Sequence, residues 1–208
     1  MNRKISKILD NLEKKSQYEN KNYHKIDHSE RMLAITKDTG IFYNTLLRST
    51  KPKRILEIGT SSGYSALWFA DAVIGKKTRI ITIEKNPNKI KLATKNFQKA
   101  GISKIIQIKQ GNAKQILSEM LREFKKSKTK KYFDFVFIDA DKEQYRFYFD
   151  ATLQMLKKDG IIAADNIIYP ERFQKHIKKY LAHVRKKPGI QTVIIPIGNG
   201  QQISIKTK

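Results

Sequence analysis

The stretch RILEIGTSSGYSALWFA, residues 54–70, decides the fold class. Its first part, RILEIG, is a short apolar run that ends in glycine, as buried β-strands often do. Its last part is an apolar, helix-like segment that continues to Val73. A strand that turns through glycines into a helix is the opening unit of an α/β sheet, because glycine permits a sharp turn and a close backbone approach to a ligand.

The same alternation of strands and helices continues to the C-terminus. After the first strand at 54–59, strands are predicted at 79–84, 105–111, 133–140, 161–166, 192–197 and 202–207. Helices are predicted between them at 86–101, 114–124, 144–160 and 171–186. Pro87 and Gly101 mark the two ends of the helix at 86–101.

Strands that alternate with helices at this spacing form βαβ units. We therefore predict an α/β fold with a mostly parallel, seven-stranded sheet and helices on both faces. The GNG turn at 198–200 joins the last two strands into an antiparallel hairpin. No internal repeat or long linker divides residues 1–208, so we predict one domain, with a helical cap region at 1–50 and an α/β core at 51–208.

Two amphipathic segments predict the helices of the cap region. The apolar positions at helical spacing are Ile5, Ile8, Leu9 and Leu12 in the first segment and Ile41, Phe42, Leu46 and Leu47 in the second. The polar stretch YENKNYHKIDHSE, residues 18–30, lies between them and is predicted to be a loop.

Composition excludes several classes of protein. No apolar run approaches the roughly 20 residues that a membrane helix needs, and the basic N-terminus lacks the apolar core of a secretory signal. The chain has no cysteine, which excludes disulfides, zinc thiolates and a cysteine nucleophile. These features are compatible with a reducing cytosol, and we predict a cytoplasmic protein without a membrane partner.

The net charge is the most unusual bulk property. The chain has 43 Lys and Arg against 19 Asp and Glu, a formal charge of +24, which favours a polyanion partner such as RNA. The alternative is a general lysine bias that solvates every exposed face, and the spacing of Lys91, Lys95 and Lys99 along one helix face fits it. Denser basic clusters occur at 122–131 and 183–189 without an RNA-binding signature. We favour the compositional bias and keep RNA as a second candidate partner.

Polar residues collect where the predicted parallel strands end, which is where ligands bind in open α/β sheets. The first strand runs into a glycine-rich turn with Glu57, Gly59, Gly63 and Ser65. Such a turn is a weak signal alone, because a tight turn without a ligand needs the same residues. Glu84 ends the second strand and is placed to accept hydrogen bonds from both hydroxyls of a ribose, unless it is a surface acid or a helix cap.

Taken together, the turn and the acid predict a cofactor that contains a nucleoside. The residues alone do not separate NAD from S-adenosylmethionine. The turn lacks the lysine of a P-loop, which argues against ATP chemistry.

The ends of the fourth and fifth predicted strands carry an oxygen-rich set of side chains, Asp139, Asp165 and Asn166. Two carboxylates and an amide suit Mg²⁺ best, with Mn²⁺ or Ca²⁺ as alternatives, rather than zinc. Two like charges at an apolar strand end are costly unless a cation neutralises them. The alternative is that each residue caps the next helix. Lys142 would lie over the same spot, or simply on the surface.

Four segments resemble, in order and spacing, the motifs of the metal-dependent class I O-methyltransferases, the catechol and caffeoyl-CoA O-methyltransferase family. They are RILEIGTSSGYSALWFA, ITIEKNP, FDFVFIDADK and GIIAADNIIY. The resemblance extends from about residue 31 to the C-terminus. It implies a Rossmann-like methyltransferase domain whose core binds S-adenosylmethionine, and association as a homodimer.

The resemblance also implies how the cofactor is held. Glu84 would bind the ribose, Gly59 and Ser65 with the backbone near Met32 would surround the methionine part, and the adenine would lie near Gly111. The full implied set is Met32, Glu57, Gly59, Ser61, Gly63, Tyr64, Ser65, Glu84, Gly111, Ala113, Asp139, Ala140 and Asp141. Asp139, Asp165 and Asn166 would correspond to the metal ligands, and Lys142 with Asp139 to the catalytic residues.

Two segments depart from the family pattern. Members often carry an acid in the C-terminal hairpin turn, whereas here Gly198–Gly200 is followed by Gln201 and Gln202. The segment at 17–28, rich in Asn, Tyr, His and Lys, has no clear counterpart. Both would flank the substrate mouth, so they bear on the identity of the acceptor.

Three functions are compatible with these features. The first is a divalent-metal-dependent O-methyltransferase that acts on a hydroxyl of a small, catechol-like acceptor. The second is a tRNA methyltransferase that acts on 5-hydroxyuridine at the wobble position, because the family includes such enzymes and the charge suits RNA. The third is a non-catalytic binding protein on the same fold, against which the set formed by Asp139, Lys142, Asp165 and Asn166 argues.

Overall fold

The computed structural model describes residues 1–27 and 30–208. Its α-helices are α1 (Arg3–Lys21), α2 (Lys37–Thr50), α3 (Tyr64–Val73), α4 (Pro87–Ala100), α5 (Ala113–Lys126), α6 (Tyr145–Gln154) and α7 (Gln174–Arg185). Its strands are β1 (Arg54–Ile58), β2 (Arg79–Glu84), β3 (Ile106–Gln110), β4 (Phe133–Ile138), β5 (Leu156–Ala164), β6 (Ile190–Ile195) and β7 (Gln201–Lys206).

All of these strands form one sheet in the order β3-β2-β1-β4-β5-β7-β6. The first five run parallel, and β7 pairs antiparallel with both β5 and β6. This confirms the predicted mostly parallel sheet with an antiparallel C-terminal hairpin. The chain moves outward from β1 to β3 and then returns to place β4 on the other side of β1, so a crevice opens between the carboxyl ends of β1 and β4.

Helices cover both faces of the sheet, as predicted. Strand β4 contributes side chains to the hydrophobic cores on both faces of the sheet. Phe135 and Phe137 pack on the face covered by α2 and α3. Val136 and Ile138 pack on the face covered by α6 and α7. Successive side chains of a strand point to opposite faces, and both faces here are buried. The apolar run of β4 therefore follows from its central position.

The N-terminal cap region contains the two predicted helices. Asn2 caps α1, because its side chain accepts hydrogen bonds from the backbone N–H groups of Lys4 and Ile5. The helix continues to Lys21, so the predicted loop at 18–30 begins four residues too early, and a short 3-10 turn occupies Tyr23–Lys25. Positions 28 and 29 of that loop lie outside the described residues.

The predicted helix at 144–160 is too long. Helix α6 ends at Gln154, and the next residues join the sheet because the carbonyl of Met155 accepts a hydrogen bond from the N–H of Phe133. Leu156 then pairs with Phe133, and Asp159 adopts a left-handed conformation with φ of 60°. Strand β5 therefore starts five residues before the predicted strand at 161–166.

Other boundaries agree closely with the sequence. Pro87 occupies the first turn of α4, and Gly101 ends that helix with φ of 72°. None of the helices within residues 1–27 and 30–208 is long and apolar enough to cross a bilayer.

Candidate active site at the carboxyl ends of the parallel strands

Glycine is required where β1 turns into α3. Gly59 has φ of +105°, and a Cβ atom there would overlap the carbonyl oxygen of Asp139. Gly63 has φ of +83°, and a Cβ atom there would meet the ring of Phe97. Gly59 therefore lets the end of β1 lie directly against the end of β4, and Gly63 lets the start of α3 lie against α4.

The turn is tied to two neighbouring segments. The backbone N–H of Ser61 donates to Oε2 of Glu84 at 2.8 Å, and the Ser61 hydroxyl donates to the carbonyl of Met32. Met32 is held in turn by Glu19 of α1, whose Oε2 accepts from the Met32 N–H at 2.7 Å. The connection between α1 and α2 is thereby fixed over the glycine-rich turn.

Glu84 also binds the turn that follows it. Its Oε1 accepts from the N–H groups of Lys85 and Asn86, each at 2.9 Å. An ionised carboxylate has about four lone-pair sites, and the backbone occupies three of them here. Glu84 is half-buried at the edge of the crevice, with a fixed orientation and remaining capacity to accept a hydrogen bond.

Three residues of the implied cofactor set lie beneath the turn, and the structure does not bring their polar groups to the strand-end cluster. Glu57 is fully buried and accepts hydrogen bonds from the hydroxyls of Ser65 and Thr82. Burial raises the pKa of Glu57 to about 8, although these hydrogen bonds lower it. The hydroxyl of Tyr64 donates to Glu13 of α1 at 2.6 Å.

The remaining residues of that set border the crevice. The N–H of Gly111 donates to the carbonyl of Glu84 at 2.9 Å, which places the start of α5, at Ala113, beside Glu84. Ala140 is half-buried, and Asp141 is exposed. Asp141 caps the following 3-10 turn, because its Oδ1 accepts from the N–H of Glu143 at 3.1 Å.

Asp139 and Asp165 extend β4 and β5 by one residue each and lie close together. The N–H of Asp139 donates to Ile58 at 2.9 Å, and that of Asp165 donates to Ile138 at 3.0 Å. Asp165 is 2% exposed. Burial, followed by the negative charge of Asp139, raises the pKa of the Asp165 carboxyl well above its usual range.

Asn166 follows directly with φ of 60°, a conformation that few residues other than glycine adopt. Non-glycine residues held in this region cost free energy and are enriched at functional sites. Asn166 directly follows Asp165 in the chain, and its place in the same set of metal ligands stays a prediction.

Lys142 reaches the same spot. Its Nζ donates to Oδ1 of Asp139 at 2.8 Å, and its side chain is only 9% exposed. The ammonium group also lies 5.1 Å from the centre of the Tyr145 ring. Lys142 is therefore not an ordinary surface lysine of this basic chain.

The chemistry of these side chains fits a hard divalent cation. Two carboxylates and one amide can supply oxygen ligands, and Lys142 faces the two negative charges. Within the described residues there is no group of three or more His, Cys, Asp or Glu that would suit a different metal centre. The fit therefore rests on Asp139, Asp165 and Asn166 together.

Two further residues reach the site, and sequence reasoning missed their role. Gln201 is fully buried; its Nε2 donates to Oδ1 of Asp165, and its Oε1 accepts from the hydroxyl of Tyr43 at 2.7 Å. In the sequence, Gln201 stands out only as a departure in the hairpin. One signal in the sequence pointed to this role: Gln201 is a polar residue on the same face of β7 as Ile203 and Ile205.

Basic and aromatic side chains from the α1–α2 connection interact with Arg172, which follows the site in the chain. The guanidinium of Arg31 is 3.7 Å from the centre of the Tyr23 ring, and hydrogen bonds from Arg31 and then Arg172 lower the pKa of the Tyr23 hydroxyl. The segment that follows Asn166 exposes Ile168 and Tyr169. We call Tyr23, Arg31, Tyr169 and Arg172 the rim.

The C-terminal hairpin turn flanks this segment. The N–H groups of Ile168 and Tyr169 both donate to the carbonyl of Asn199, at 2.9 and 3.1 Å. The hairpin that departs from the family pattern therefore lies next to the strand-end site, whereas Tyr23, from the other departing segment, interacts with Arg172.

Comparison with known sequences gives one family and named relatives. The sequence model of a family described as O-methyltransferase matches residues 6–207. A catechol O-methyltransferase of Niastella koreensis is 37% identical over 136 residues, 65% of this chain and 59% of the relative. Caffeoyl-CoA O-methyltransferase 2 of Populus trichocarpa is 28% identical over 188 residues, 83% of this chain and 74% of the relative.

Solved structures share the fold. Cofactor-bound Rv0187 from MTB matches with a TM-score of 0.75 and 25% identity, over 86% of this chain and 85% of that one. The O-methyltransferase from Bacillus cereus in complex with SAH matches with a TM-score of 0.74 and 22% identity, over 93% of this chain and 90% of that one. The second likeness bears on the fold alone.

Proposed function

This chain belongs to the O-methyltransferase family, and we propose that it transfers the methyl group of S-adenosylmethionine to a hydroxyl of a small, catechol-like acceptor with the help of a divalent cation. The observation that carries the proposal is the cluster at the ends of β4 and β5. There Lys142 lies 2.8 Å from Asp139, beside the buried carboxyl of Asp165. The names of the two relatives support the class of acceptor.

The cofactor would lie across the crevice between β1 and β4. Glu84, oriented by three backbone N–H groups, would accept a ribose hydroxyl. The backbone of the glycine-rich turn would approach the methionine part in the tight conformation that the positive φ of Gly59 and of Gly63 permits. Gly111 and Ala113 border the place where the adenine would follow.

Methyl transfer from a sulfonium is an in-line displacement in which the bond from sulfur to carbon breaks as the bond from oxygen to carbon forms. The hydroxyl proton must leave the acceptor. Asp139, Asp165 and Asn166 would hold the cation, which when bound lowers the pKa of a hydroxyl beside it and fixes its direction. The Nζ of Lys142, oriented by Asp139, would accept this proton when Lys142 is in its neutral amine form.

Substitution of Lys142 tests this assignment. We predict that Lys142→Ala lowers the rate of methyl transfer by about 10²–10⁴-fold, the usual contribution of a positioned proton-transfer group. Binding of S-adenosylmethionine, measured by calorimetry, should remain close to that of the wild type.

Lys157→Ala is the matched control. Lys157 forms an ion pair with Asp134 at 2.5 Å, at the opposite end of β4. It is therefore a lysine–aspartate pair on the same strand that lies away from the strand-end site. Equal losses of rate in both variants, or no loss in Lys142→Ala, would contradict the role of Lys142.

The rim favours a second candidate function. Tyr23 and Tyr169 offer exposed rings, and Arg31 and Arg172 offer positive charge, which together suit an unstacked nucleotide. A tRNA methyltransferase that acts on 5-hydroxyuridine at the wobble position is therefore the alternative. Incubation with labelled cofactor and either a catechol panel or bulk tRNA distinguishes the two.

We also propose that the enzyme acts as a cytoplasmic homodimer. The family resemblance supports the dimer, and the lack of cysteine is compatible with the compartment. Light scattering on the purified protein would test the dimer, and a single-chain mass would contradict it.

A further inference from the structure

Gln201 connects the helical cap region to the strand-end site. It begins β7, the strand next to β5, and its side chain is fully buried. Its Nε2 donates to Oδ1 of Asp165 and, at 3.3 Å, also lies near the carbonyl of Ile197. Its Oε1 accepts from the hydroxyl of Tyr43 in α2 at 2.7 Å. A residue of the cap region thus reaches Asp165 through one amide.

The amide can serve Asp165 in only one orientation. If its two ends were exchanged, its oxygen would face the carbonyl of Ile197 and the Oδ1 of Asp165, and neither donates when Asp165 is ionised, as a ligand of a cation must be. With the amide nitrogen toward Asp165, the amide oxygen is left to accept the proton of the Tyr43 hydroxyl. The contacts of Nε2 with Asp165 and with the carbonyl of Ile197 therefore select the orientation, and the Tyr43 hydroxyl, which can donate or accept, matches it.

Tyr43 is itself immobilised by the aromatic core. Its ring packs edge-to-face on Phe69, Phe135 and Phe137, with ring centres 6.1, 5.7 and 5.0 Å away. Its hydroxyl is therefore presented from a fixed position. Because Tyr43 is held by the core, its hydrogen bond restrains Gln201, and the hydrogen bond from Gln201 restrains the side chain of Asp165.

We propose that Gln201 is a positioning residue that holds the Asp165 carboxylate in the orientation needed to bind a divalent cation, and that Tyr43 fixes Gln201 in turn. The proposal rests on the proposed function, because it takes Asp165 as a ligand of that cation. Partners that orient a ligating side chain typically change metal affinity by 10–100-fold when they are removed.

The chain offers a matched control in the next residue. Gln202 is also fully buried, and its Oε1 accepts from the hydroxyl of Tyr180. Its Nε2 donates to the hydroxyl of Thr192 at 2.9 Å and to Ser204, on the other face of β7. Gln202 therefore has the same burial, the same strand and a tyrosine partner, but no contact with a carboxylate.

The test is the affinity of the full chain for Mn²⁺, measured without S-adenosylmethionine by electron paramagnetic resonance. Gln201→Leu should weaken binding by about tenfold or more. Gln202→Leu should retain the affinity of the wild type although its melting temperature falls. Tyr43→Phe, which removes one hydroxyl and keeps the ring packing, should weaken binding in the same direction by a smaller factor, and it serves if Gln201→Leu does not fold.

Wild-type affinity in both Gln201→Leu and Tyr43→Phe, or an equal loss in Gln202→Leu, would overturn the proposal. Failure of the wild type to bind Mn²⁺ would instead overturn the cation in the proposed function. Crystal structures of the wild type and of Tyr43→Phe then decide the positioning role: a reoriented Gln201 amide and Asp165 carboxyl support it, and unchanged side chains contradict it.

Discussion

At the scale of single residues, Glu57 shows how burial converts an acid into a source of pH dependence. Its carboxyl is fully buried, and its pKa is about 8 against an ordinary value of 4.5. Between these two values the folded chain binds more protons at Glu57 than the unfolded chain does. The free energy of unfolding therefore falls as the pH rises through this window and then levels off.

We predict that Glu57→Gln removes this pH dependence. At about 1.4 kcal/mol per pKa unit, the wild type should lose up to roughly 5 kcal/mol relative to the variant between the two pKa values. Denaturant unfolding at a series of pH values measures the difference. Stability curves that stay parallel across the window would show that Glu57 does not titrate there.

Sequence reasoning identified the residues whose role follows from strand ends. Asp139, Lys142 and Asp165 could be grouped because the carboxyl ends of neighbouring parallel strands meet at one edge of the sheet. Tyr43 and Gln201 could not be found in this way, because 158 positions separate them along the chain. Their hydrogen bond depends on how α2 packs on the sheet, which no local pattern encodes.

At the scale of elements, the junction of β1 and β4 depends on the missing side chain of Gly59. We predict that Gly59→Ala destabilises the fold by about 3 kcal/mol or more, because the new Cβ would overlap the Asp139 carbonyl and the backbone would keep a positive φ. Binding of S-adenosylmethionine should fall as well, since the turn must move.

Gly75→Ala is the control for this change. Gly75 also has a positive φ, of +79°, but no atom lies within 4 Å of a Cβ built there. Only the backbone cost of about 1–2 kcal/mol should appear. Thermal and denaturant unfolding compare the two, and equal destabilisation would mean that the close approach at Gly59 is unimportant.

The order and type of elements followed from local signals, whereas the boundary between α6 and β5 did not. Pro87 and Gly101 delimited α4 because they act through their own backbone. The start of β5 at Leu156 depends instead on pairing with Phe133, about twenty residues away in the chain. Helical spacing continued past Gln154 in the sequence, and tertiary pairing overrode it.

At the scale of the whole molecule, the charge of +24 separates the two candidate acceptors. We predict that methyl transfer to a catechol changes little between about 50 and 200 mM salt, because a small neutral acceptor releases no counterions. Steady-state rates across this range measure it. Affinity for tRNA, if the rim binds RNA, should fall by orders of magnitude over the same range.

A tRNA affinity that falls steeply, together with methylation of the tRNA and none of the catechol panel, would contradict the small-molecule assignment.

The overall sheet and its two covered faces were predictable, since they follow from alternation along the chain. The sequence did not indicate that the hairpin would place β7 between β5 and β6, which is what brings Gln201 to Asp165.

The most direct test of the account is the rate of methyl transfer to a catechol with Mg²⁺ and with EDTA, while binding of S-adenosylmethionine is measured in both. Removal of the cation should lower the rate by about 100-fold or more, since several kcal/mol of stabilisation is lost at 1.36 kcal/mol per tenfold in rate. Cofactor binding should persist, and added Mg²⁺ should restore the rate. A rate that EDTA leaves unchanged would contradict the account.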